Sequence, residues 1–582
     1  MQTKKIELNN MKKILSIALC TVVAMGIVSC SDEAYTEKYN NPAKTTTVSC
    51  DKLFTGVVWT GRTYGMHTYW GLCTFELPQI GAYAQTSSHF SADADYEGTG
   101  SYVSYGNDRW KNFYEDLAQY KLMRHTFQNL SADQQKENQL YMDCATVWFY
   151  DQLEKAIDLW GDIPFVNACN IQITADIADS KASYDDAKTL YEMMLNGGSL
   201  TDVKGEAQTF DGLATIYSRI KSSNSVPSGF ASQDILFGGD VMKWASYAIG
   251  LRARMALRVS TQGSLTSTGQ NVLKEIASTV ASDAQDCATG FADPSIVAFS
   301  YNDGNGMNWG GGWNEWARQY SRLSYKMAEM LNLPEGSKMN HTTDVHVAGA
   351  DPRAAVMFDA SNAGTVHILD YHQTFSDQYY NGWLKEGTYR WFTVVDSATF
   401  INNAYFMHPI MTKAEMLLTL AEAAQRGIIS GSAESYFKQG VQASIDFYYA
   451  ENAKSTYRAA VSQPDATDYI NGLWDNAADK LEAICNQRWL HFSMLQHEQA
   501  YADVRRTGFP KLEFRDFSND PNYTIPRPMD RIVYPSDETI NNLDNMNEAI
   551  SRLSNSSQEW YNALFWAKSA GSWYTVIDLP YE

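Results

Sequence analysis

Apolar side chains recur at helical spacing over long stretches of this chain, and this pattern constrains its fold more than any other feature. One set, spaced i, i+4, i+7 and i+8, comprises Tyr141, Ala145, Trp148, Phe149, Leu153, Ala156 and Ile157. Two further sets are Trp244, Tyr247, Ala248, Leu251, Met255 and Val259, and Leu481, Ile484, Cys485, Phe492 and Leu495. Such spacing places each set on one face of a helix. The pattern therefore predicts a mostly helical protein whose helices each bury one face.

The chain is large enough for an extensive core, and no linker divides it. Its 582 residues are 44% hydrophobic and only 19% charged, which excludes an intrinsically disordered chain. The net charge of -21 repels phosphate, so a general nucleic-acid-binding function is disfavoured. We predict one intertwined domain over residues 48–582.

The N-terminus has the pattern of a bacterial lipoprotein signal. Two lysines precede an apolar run over residues 14–28, which is too short to span a bilayer as a helix. The run ends in Ile27-Val28-Ser29-Cys30, which resembles a lipobox. We predict a signal peptide over residues 1–29, with Met11 a better start than Met1, followed by a lipidated Cys30 and a flexible tether over 30–47.

The residues after Cys30 indicate where the protein is displayed. Ser31-Asp32-Glu33 is acidic and resembles the surface-export tag of Bacteroidetes lipoproteins. Two lipid chains on one cysteine anchor a protein stably, and no later stretch is long and apolar enough to span a membrane. We therefore expect a lipid-anchored outer-membrane protein that faces the cell exterior.

Motifs for catalysis, cofactors or metals are absent from the sequence. Gly304, Gly306 and Gly310 miss the dinucleotide fingerprint, and His497-Glu498 lacks the second histidine of a zinc protease helix. The ten histidines and the scattered cysteines have no metal-ligand spacing, and Cys144 and Cys485 are expected to be small buried hydrophobes. We expect no enzyme, no cofactor and no metal. A lipid-anchored glycoside hydrolase remains an alternative, because some pair among 67 acidic residues can always be found.

An ordered series of short segments runs along most of the chain. They are Trp160-Gly161-Asp162-Ile163-Pro164-Phe165, the stretch 244–258 with Arg252, Arg254 and Arg258, Asp351-Pro352-Arg353, the stretch 411–427, Gln487-Arg488-Trp489, Arg505-Arg506-Thr507-Gly508-Phe509-Pro510, Ile525-Pro526-Arg527 and Tyr534-Pro535. In their order and spacing they resemble the SusD/RagB-type outer-membrane lipoproteins of Bacteroidetes.

This resemblance implies a fold, a function and a partner. The fold is all-α, with helix pairs of the tetratricopeptide type stacked into a superhelix that supports long irregular ligand-binding loops. The implied function is to bind oligosaccharide or polysaccharide at the cell surface and to deliver it, without catalysis, to a SusC-type TonB-dependent transporter. Some relatives bind peptides, so a peptide ligand is the alternative on the same scaffold.

The quoted segments themselves are expected to be structural. Gly161 is predicted to end a helix, and Asp351-Pro352-Arg353 to form a capped turn before a short helix. Arg254 and Arg258 lie four residues apart, which places them on one helix face where they can pair with buried acids. Arg505-Arg506-Thr507-Gly508 is interpreted as part of a structural arginine network.

Three long loops are predicted over residues 81–108, 286–313 and 359–405, and loops of this length inside a compact domain are usually functional. Sugar binding needs flat aromatic faces beside amides or carboxylates. The first candidate group is Asn308, Trp309, Trp313 and Trp316, and the second is His89, Tyr96, Tyr102, Tyr105 and Asn107. A third is the Tyr64 to Trp70 cluster.

The tryptophan candidates have an alternative in the core. Trp316 can begin a helix through Tyr320 and pack in the core, and Trp110 is expected to be a core residue. For Trp309 and Trp313 we expect faces exposed to solvent. A peptide-binding protein would favour a groove with exposed backbone acceptors over paired tryptophans.

Overall fold

Helices dominate the structure, a computed structural model that describes residues 48–87, 101–279, 281–285, 313, 315–339, 347, 349–370, 391–519 and 525–577. The predicted all-α fold is confirmed. Consecutive helices pack as pairs and the strands are short. None of the helices in these ranges is both long and apolar enough to cross a membrane. Residues from Cys50 onward form one compact unit.

The helices of the first half of the chain are α1 Cys50–Gly65, α2 Tyr69–Gly71, α3 Ser101–Gln128, α4 Ala132–Trp160, α5 Ile171–Thr174, α6 Ala187–Asn196, α7 Leu213–Lys221, α8 Phe230–Gln233, α9 Val241–Val259, α10 Thr266–Thr279 and α11 Ala281–Gln285. Those of the second half are α12 Glu315–Tyr320, α13 Tyr325–Leu331, α14 Ala354–Met357, α15 Lys413–Gln425, α16 Ala433–Lys454, α17 Thr467–Asp475, α18 Lys480–Phe492, α19 His497–Thr507, α20 Ser536–Asn541 and α21 Leu543–Ser551. Two π-helices cover Leu72–Gly81 and Ser397–Ile401.

The strands form two-stranded ribbons at the ends of helices. They are β1 Ile163–Pro164, β2 Tyr184–Asp185, β3 Gly198–Thr201, β4 Ala207–Phe210, β5 Phe358–Asp359, β6 Val394–Val395, β7 Leu512–Arg515 and β8 Tyr574–Ile577. The pairs β1–β2, β3–β4 and β5–β6 are antiparallel, whereas β7–β8 is parallel. Ribbons this small bury little surface, so the helices supply the core.

Helix α4 runs through the centre of the core. Ser131 caps its start, because the Ser131 hydroxyl accepts from the Gln134 N–H and the Gln134 side chain accepts from the Ser131 N–H, forming a capping box. Every residue from Leu140 to Trp160 is buried. The prediction of a single buried face was therefore too narrow for α4. The helix ends at Gly161, as predicted, where φ is 76° and glycine avoids the strain of a side chain.

Helix α1 packs against α3 and α4 through two glycines. A Cβ atom at Gly61 would collide with the indole nitrogen of Trp148, and one at Gly65 would come within 2.6 Å of the Gln152 amide. Gly61 and Gly65 are four residues apart, as are Trp148 and Gln152, so one turn of α1 fits directly onto one turn of α4. This contact fixes the C-terminal end of α1.

Buried charges on α4 are paired with arginines of α9, as the arginine spacing predicted. Arg254 Nε lies 2.6 Å from Glu415 Oε1, and Arg254 Nη1 lies 2.9 Å from Asp151 Oδ1. Arg258 Nε lies 3.1 Å from Asp158 Oδ2. All five side chains are buried. They link α4, α9 and α15 through charge-assisted contacts.

A second group of buried pairs links α15, α18 and α19. Arg488 Nε lies 2.5 Å from Asp503 Oδ2, and Arg506 Nη2 lies 2.7 Å from Glu422 Oε2. Arg488 also contacts Glu422. Burial opposes the charge on Glu422, but Arg506 and Arg488 outweigh it and hold the pKa of this carboxyl well below its ordinary value. The structural interpretation of Arg506 is confirmed. We call both groups together the arginine network.

Two of the three predicted loops contain regular structure. The segment 81–108 includes the start of α3 at Ser101, and the segment 359–405 includes β6 and a π-helix. The Gly- and Ser-rich composition around Ser101 favoured a loop, but a helix begins there. Its residues Asn107 and Arg109 contact segments that are distant in sequence. Of the third segment, 286–313, the structure describes Trp313 alone.

The predicted core positions outside these loops are confirmed. Cys144 and Cys485 are buried, and Trp110 packs edge-on against Trp160 with ring centroids 5.1 Å apart. Asp351 accepts a hydrogen bond from the backbone N–H of Arg353 just before α14, as expected for a capped turn.

Candidate functional site

An exposed tryptophan lies where α2 meets the N-terminal part of α3. Trp70 keeps 45% of its surface exposed, although most tryptophans that the structure describes are buried or half-buried. It is the middle residue of α2, and the hydroxyl of Thr68 caps that short helix by accepting from the Gly71 N–H at 3.1 Å. The backbone that carries the indole is thus fixed locally. We call Trp70 and the polar residues around it the Trp70 site.

Helix α3 sets the orientation of the indole. Trp70 Nε1 donates a hydrogen bond to Asp108 Oδ2 at 3.1 Å. Asp108 is partly exposed, so its carboxylate faces both the indole and solvent. A carboxylate accepts several hydrogen bonds, and one indole N–H leaves acceptor capacity beside the ring.

The residue before Asp108 ties the site to α20. Asn107 Nδ2 donates to Ser536 Oγ at 3.0 Å and to Asp537 Oδ1 at 3.2 Å. The sequence-predicted Asn107 therefore lies at the edge of the site, on a helix rather than in a loop. Its amide links the turn of α3 that carries Asp108 to the start of α20.

The residue after Asp108 anchors the site in the core. Buried Arg109 donates to Glu498 Oε1 from Nε at 3.0 Å and from Nη2 at 2.6 Å, and its guanidinium lies 3.6 Å from the Tyr64 ring centroid. Burial disfavours the charge, but Glu498 and Tyr64 outweigh it, so the pKa of Arg109 is raised above its ordinary value. The successive α3 residues Asn107, Asp108 and Arg109 thus contact α20, α2 and α19, in that order.

A buried histidine–glutamate pair lies beneath α2. His67 Nε2 is 3.0 Å from Glu76 Oε2, and both side chains are buried. Burial opposes ionisation of Glu76, but the facing His67 and Arg109 outweigh it and lower its pKa to about 2. Burial lowers the pKa of the neighbouring His497 to about 3, so this imidazole stays neutral at physiological pH.

A small cavity of about 30 Å³ separates these groups, with His67, His408 and Glu498 among its lining residues. It is large enough for a water molecule. Within the described ranges, no three His, Cys, Asp or Glu side chains are arranged to hold a metal ion. The buried acids here are engaged with basic groups, so the chemistry this arrangement supports best is binding. It offers a flat aromatic face with carboxylate and amide groups at its edge.

The structure corrects the expectation for Trp313. Its side chain is only 1% exposed, with ring centroids 4.9 Å from Phe400 and 6.0 Å from His67. The prediction that Trp313 forms an exposed binding platform is therefore wrong. The Gly-rich sequence before it resembled a surface loop, but a large indole beside Phe400 is buried by residues distant in sequence.

The other sequence-predicted contacts divide into two groups. Trp316 is the second residue of α12, and Tyr102 and Tyr105 lie in the first turns of α3, six and three residues before Asp108. Outside the described residues lie Asn308, Trp309, His89, Tyr96 and the lipidation candidate Cys30. In the third candidate cluster Tyr64 is buried, and Trp70 is the exposed member that contacts Asp108, the residue after Asn107.

Sequence reasoning missed Asp108 and α20. Asp108 adjoins the predicted Asn107, so its polar neighbours were a usable signal. Asp537 lies far along the chain from Asn107, and no local pattern connects the two.

Comparisons with known proteins give one family and one fold. Residues 73–535 match the family model SusD-like_2, described as "Starch-binding associating with outer membrane". A solved SusD homologue from Parabacteroides distasonis is 17% identical, with a TM-score of 0.64 over 92% of this chain and 100% of that one. A chitin-binding SusD homologue from Flavobacterium johnsoniae is 17% identical, with a TM-score of 0.59 over 89% of this chain and 99% of that one. A structure named as a chitin-binding protein is 18% identical, with a TM-score of 0.60 over 89% of this chain and 100% of that one. No curated protein matches the chain.

Proposed function

This chain belongs to the SusD-like family, and from that premise we propose that it is a cell-surface carbohydrate-binding protein whose glycan site is built around Trp70. The observation that carries the proposal is the exposed Trp70 indole, held in a fixed orientation by Asp108. A single exposed aromatic ring is common on a folded surface. Trp70 differs from the equally exposed Trp59 because Asp108 accepts a hydrogen bond from its indole N–H and places a carboxylate beside the ring. An indole face covers the apolar face of a sugar ring.

The groups around the indole favour a neutral glycan. Asp108 and Asp537 contribute carboxylates that accept hydrogen bonds from hydroxyl groups, whereas both N–H groups of the Asn107 amide are already donated to Ser536 and Asp537. The nearby Arg109 is engaged with Glu498 in the core. An acidic sugar would meet two carboxylates and no available cation among these residues. Neutral chains of the starch or chitin type fit this surface better.

Further contacts are proposed from the sequence. The segment around residue 309 and the segment between α2 and α3 carry aromatic and amide side chains suited to extend the site. The proposed additional contacts are Asn308, Trp309, Trp316, His89, Tyr96, Tyr102 and Tyr105.

The remaining parts of the proposal concern location and partner. Lipidation of Cys30 anchors the protein to the outer membrane on its outer side, and the protein delivers glycan to a SusC-type TonB-dependent transporter without catalysing a reaction. Family membership supports the outer-membrane association. Replacing Cys30 with alanine should release the folded protein from the membrane fraction of cells that lack the transporter. Pull-down of the wild type from native membranes should recover a TonB-dependent barrel.

The glycan site is tested with two tryptophans of equal exposure. Trp59 on α1 is also 45% exposed, so Trp59→Ala is a matched control for Trp70→Ala. After a glycan and peptide array identifies a ligand, calorimetric titration should show a loss of about 2 kcal/mol, roughly thirtyfold in affinity, for Trp70→Ala alone. Equal binding by both variants would contradict the site, and selection of peptides by the array would contradict the ligand class.

A further inference from the structure

A polar pocket of about 240 Å³ lies beside the C-terminal half of α3, away from the Trp70 site. Its walls are α3, the segment from residue 166 to α5, and the hairpin formed by β3 and β4. We call it the α3 pocket. The lining residues on which the argument depends are Lys121, Arg124, Gln128, Asn170, Asp202 and Glu206.

The first wall is held rigidly by a buried lysine. Lys121 Nζ donates to Val166 O at 2.9 Å, to Ala168 O at 2.6 Å and to Asn170 Oδ1 at 2.9 Å. These three bonds use all three ammonium hydrogens and fix the segment against α3. Burial is the main cause that lowers the pKa of Lys121 to about 8.

The second wall is equally preformed. Arg124 donates from Nη2 to Thr209 O at 2.7 Å, and its guanidinium lies 4.1 Å from the Phe210 ring centroid. At the hairpin tip, Asp202 Oδ1 accepts from the backbone N–H groups of Lys204 and Glu206, both at 2.9 Å. Ligand sites are usually such preformed concavities.

The charges lining the pocket cancel. The cations are Lys121, Arg124 and Lys204, and the carboxylates are Asp179, Asp202 and Glu206. A phosphate group or a metal ion requires a clear excess of one sign, which this lining does not supply. Gln128 and Glu206 are exposed, and within the described part of the chain their side chains make no hydrogen bond, so one amide NH2 and three acceptor oxygens remain for a ligand.

We infer that the α3 pocket is a second carbohydrate subsite that takes one neutral sugar ring. The ligand class rests on the proposed function. The volume is below the range of about 300–1,000 Å³ typical of drug-sized ligands, so a single ring is the appropriate size. The mixed donors and acceptors of the lining match a ring bearing hydroxyl groups.

The pocket also has a fixed relation to the Trp70 site. Lys121 and Asp108 belong to the same helix, and the rise of 1.5 Å per residue puts them about 20 Å apart along its axis. Thirteen residues also rotate an α-helix by about 220°, so Lys121 and Asp108 lie on different sides of α3.

The test removes the first site before probing the second. Saturation-transfer NMR on the full-length Trp70→Ala variant in detergent uses D-glucose and N-acetyl-D-glucosamine as probes, with D-glucuronate and D-glucosamine as charged counterparts. The neutral sugars should give the larger transfer signals. Adding Gln128→Leu should weaken their binding at least fivefold, with no change in melting temperature.

A charge-matched pair of variants sharpens the result. Glu206→Gln should move the preference between glucuronate and glucose toward glucuronate, whereas Glu137→Gln, on an exposed part of α4 outside the pocket, should leave it unchanged. Absence of monosaccharide binding in the Trp70→Ala background, or an equal response of both glutamate variants, overturns the subsite. Titration of the wild type with oligosaccharide judges the proposed function separately, so the two failures are distinguishable.

Discussion

The arginine network and the Trp70 site each depend on an acidic side chain, but the two acids have different roles. In the network Glu422 is fully buried, and Arg488 and Arg506 both contact it. In the Trp70 site Asp108 is partly exposed and accepts a hydrogen bond from an indole at the surface. An acid whose partners are all internal holds helices together. An acid that keeps acceptor capacity toward solvent is available to a ligand.

The largest expected effect follows from removing the shared acid of the network. Glu422→Ala leaves the guanidinium groups of Arg488 and Arg506 buried without this partner, which should cost about 3–5 kcal/mol of folding free energy. Glu548→Ala breaks the exposed pair with Arg552 and should cost about 0–1 kcal/mol. Thermal melting and urea denaturation measure both. Equal melting temperatures would remove the distinction between internal and exposed acids.

Two tryptophans provide the next test. Trp313 is buried against Phe400, so Trp313→Ala should lower the free energy of unfolding by about 3–5 kcal/mol. Trp59→Ala removes an indole that is 45% exposed and should cost much less. Denaturation curves of the two variants should separate clearly. A Trp313→Ala protein that is as stable as the wild type would restore Trp313 as a candidate binding platform.

A buried acid without a basic partner allows a third test. Asp116 lies against Gly61 and, within the described residues, neither of its carboxyl oxygens has a hydrogen-bond partner. Burial raises its pKa well above the ordinary value, so the folded protein binds this proton more tightly than the unfolded chain does. Stability from this group is complete below the unfolded pKa and declines as pH rises through the window up to the folded pKa.

Asp116→Asn should therefore be more stable than the wild type at neutral pH, by a margin that shrinks toward pH 4. The change with pH should not exceed about 1.4 kcal/mol per pH unit, the limit for one proton. Urea denaturation at several pH values measures the margin. A margin that is independent of pH would show that Asp116 ionises normally in the folded protein.

The smallest expected effect concerns the orientation of Trp70. Asp108→Ala removes the acceptor of the indole N–H and should weaken glycan binding by about 1 kcal/mol, roughly fivefold, with little change in melting temperature. Asp108→Asn keeps an acceptor at the same position and should restore most of the affinity. If the asparagine variant binds as poorly as the alanine variant, the charge of Asp108 matters rather than its contact with Trp70.

The helical scaffold could be predicted because residues close together in sequence specify each helix. The spacing of apolar residues around Trp148 and Trp244 indicated α4 and α9, and the four-residue separation of Arg254 and Arg258 indicated one charged face. The acids that meet this face could not be named, because Glu415 is distant in sequence.

The site was less predictable because exposure depends on the whole fold. Trp313 and Trp70 both lie near glycine in polar surroundings, yet Phe400 covers one and solvent reaches the other. Similarly, Asn107 was identified as polar and available, but its contact with Asp537 depends on where α20 docks. The sequence therefore indicated which residue types are suited to binding, but not where they lie in the folded protein.

The close fit of Gly61 and Gly65 onto α4 has a thermodynamic consequence for recognition. Trp70 lies five residues after Gly65, in the short helix α2, so its position depends on the close contact between α1 and α4. A ligand then meets an aromatic surface that is already in place, and little side-chain and backbone freedom is lost on association. We expect glycan affinity to be set mainly by contacts and displaced water, with little contribution from ordering of the protein around Trp70.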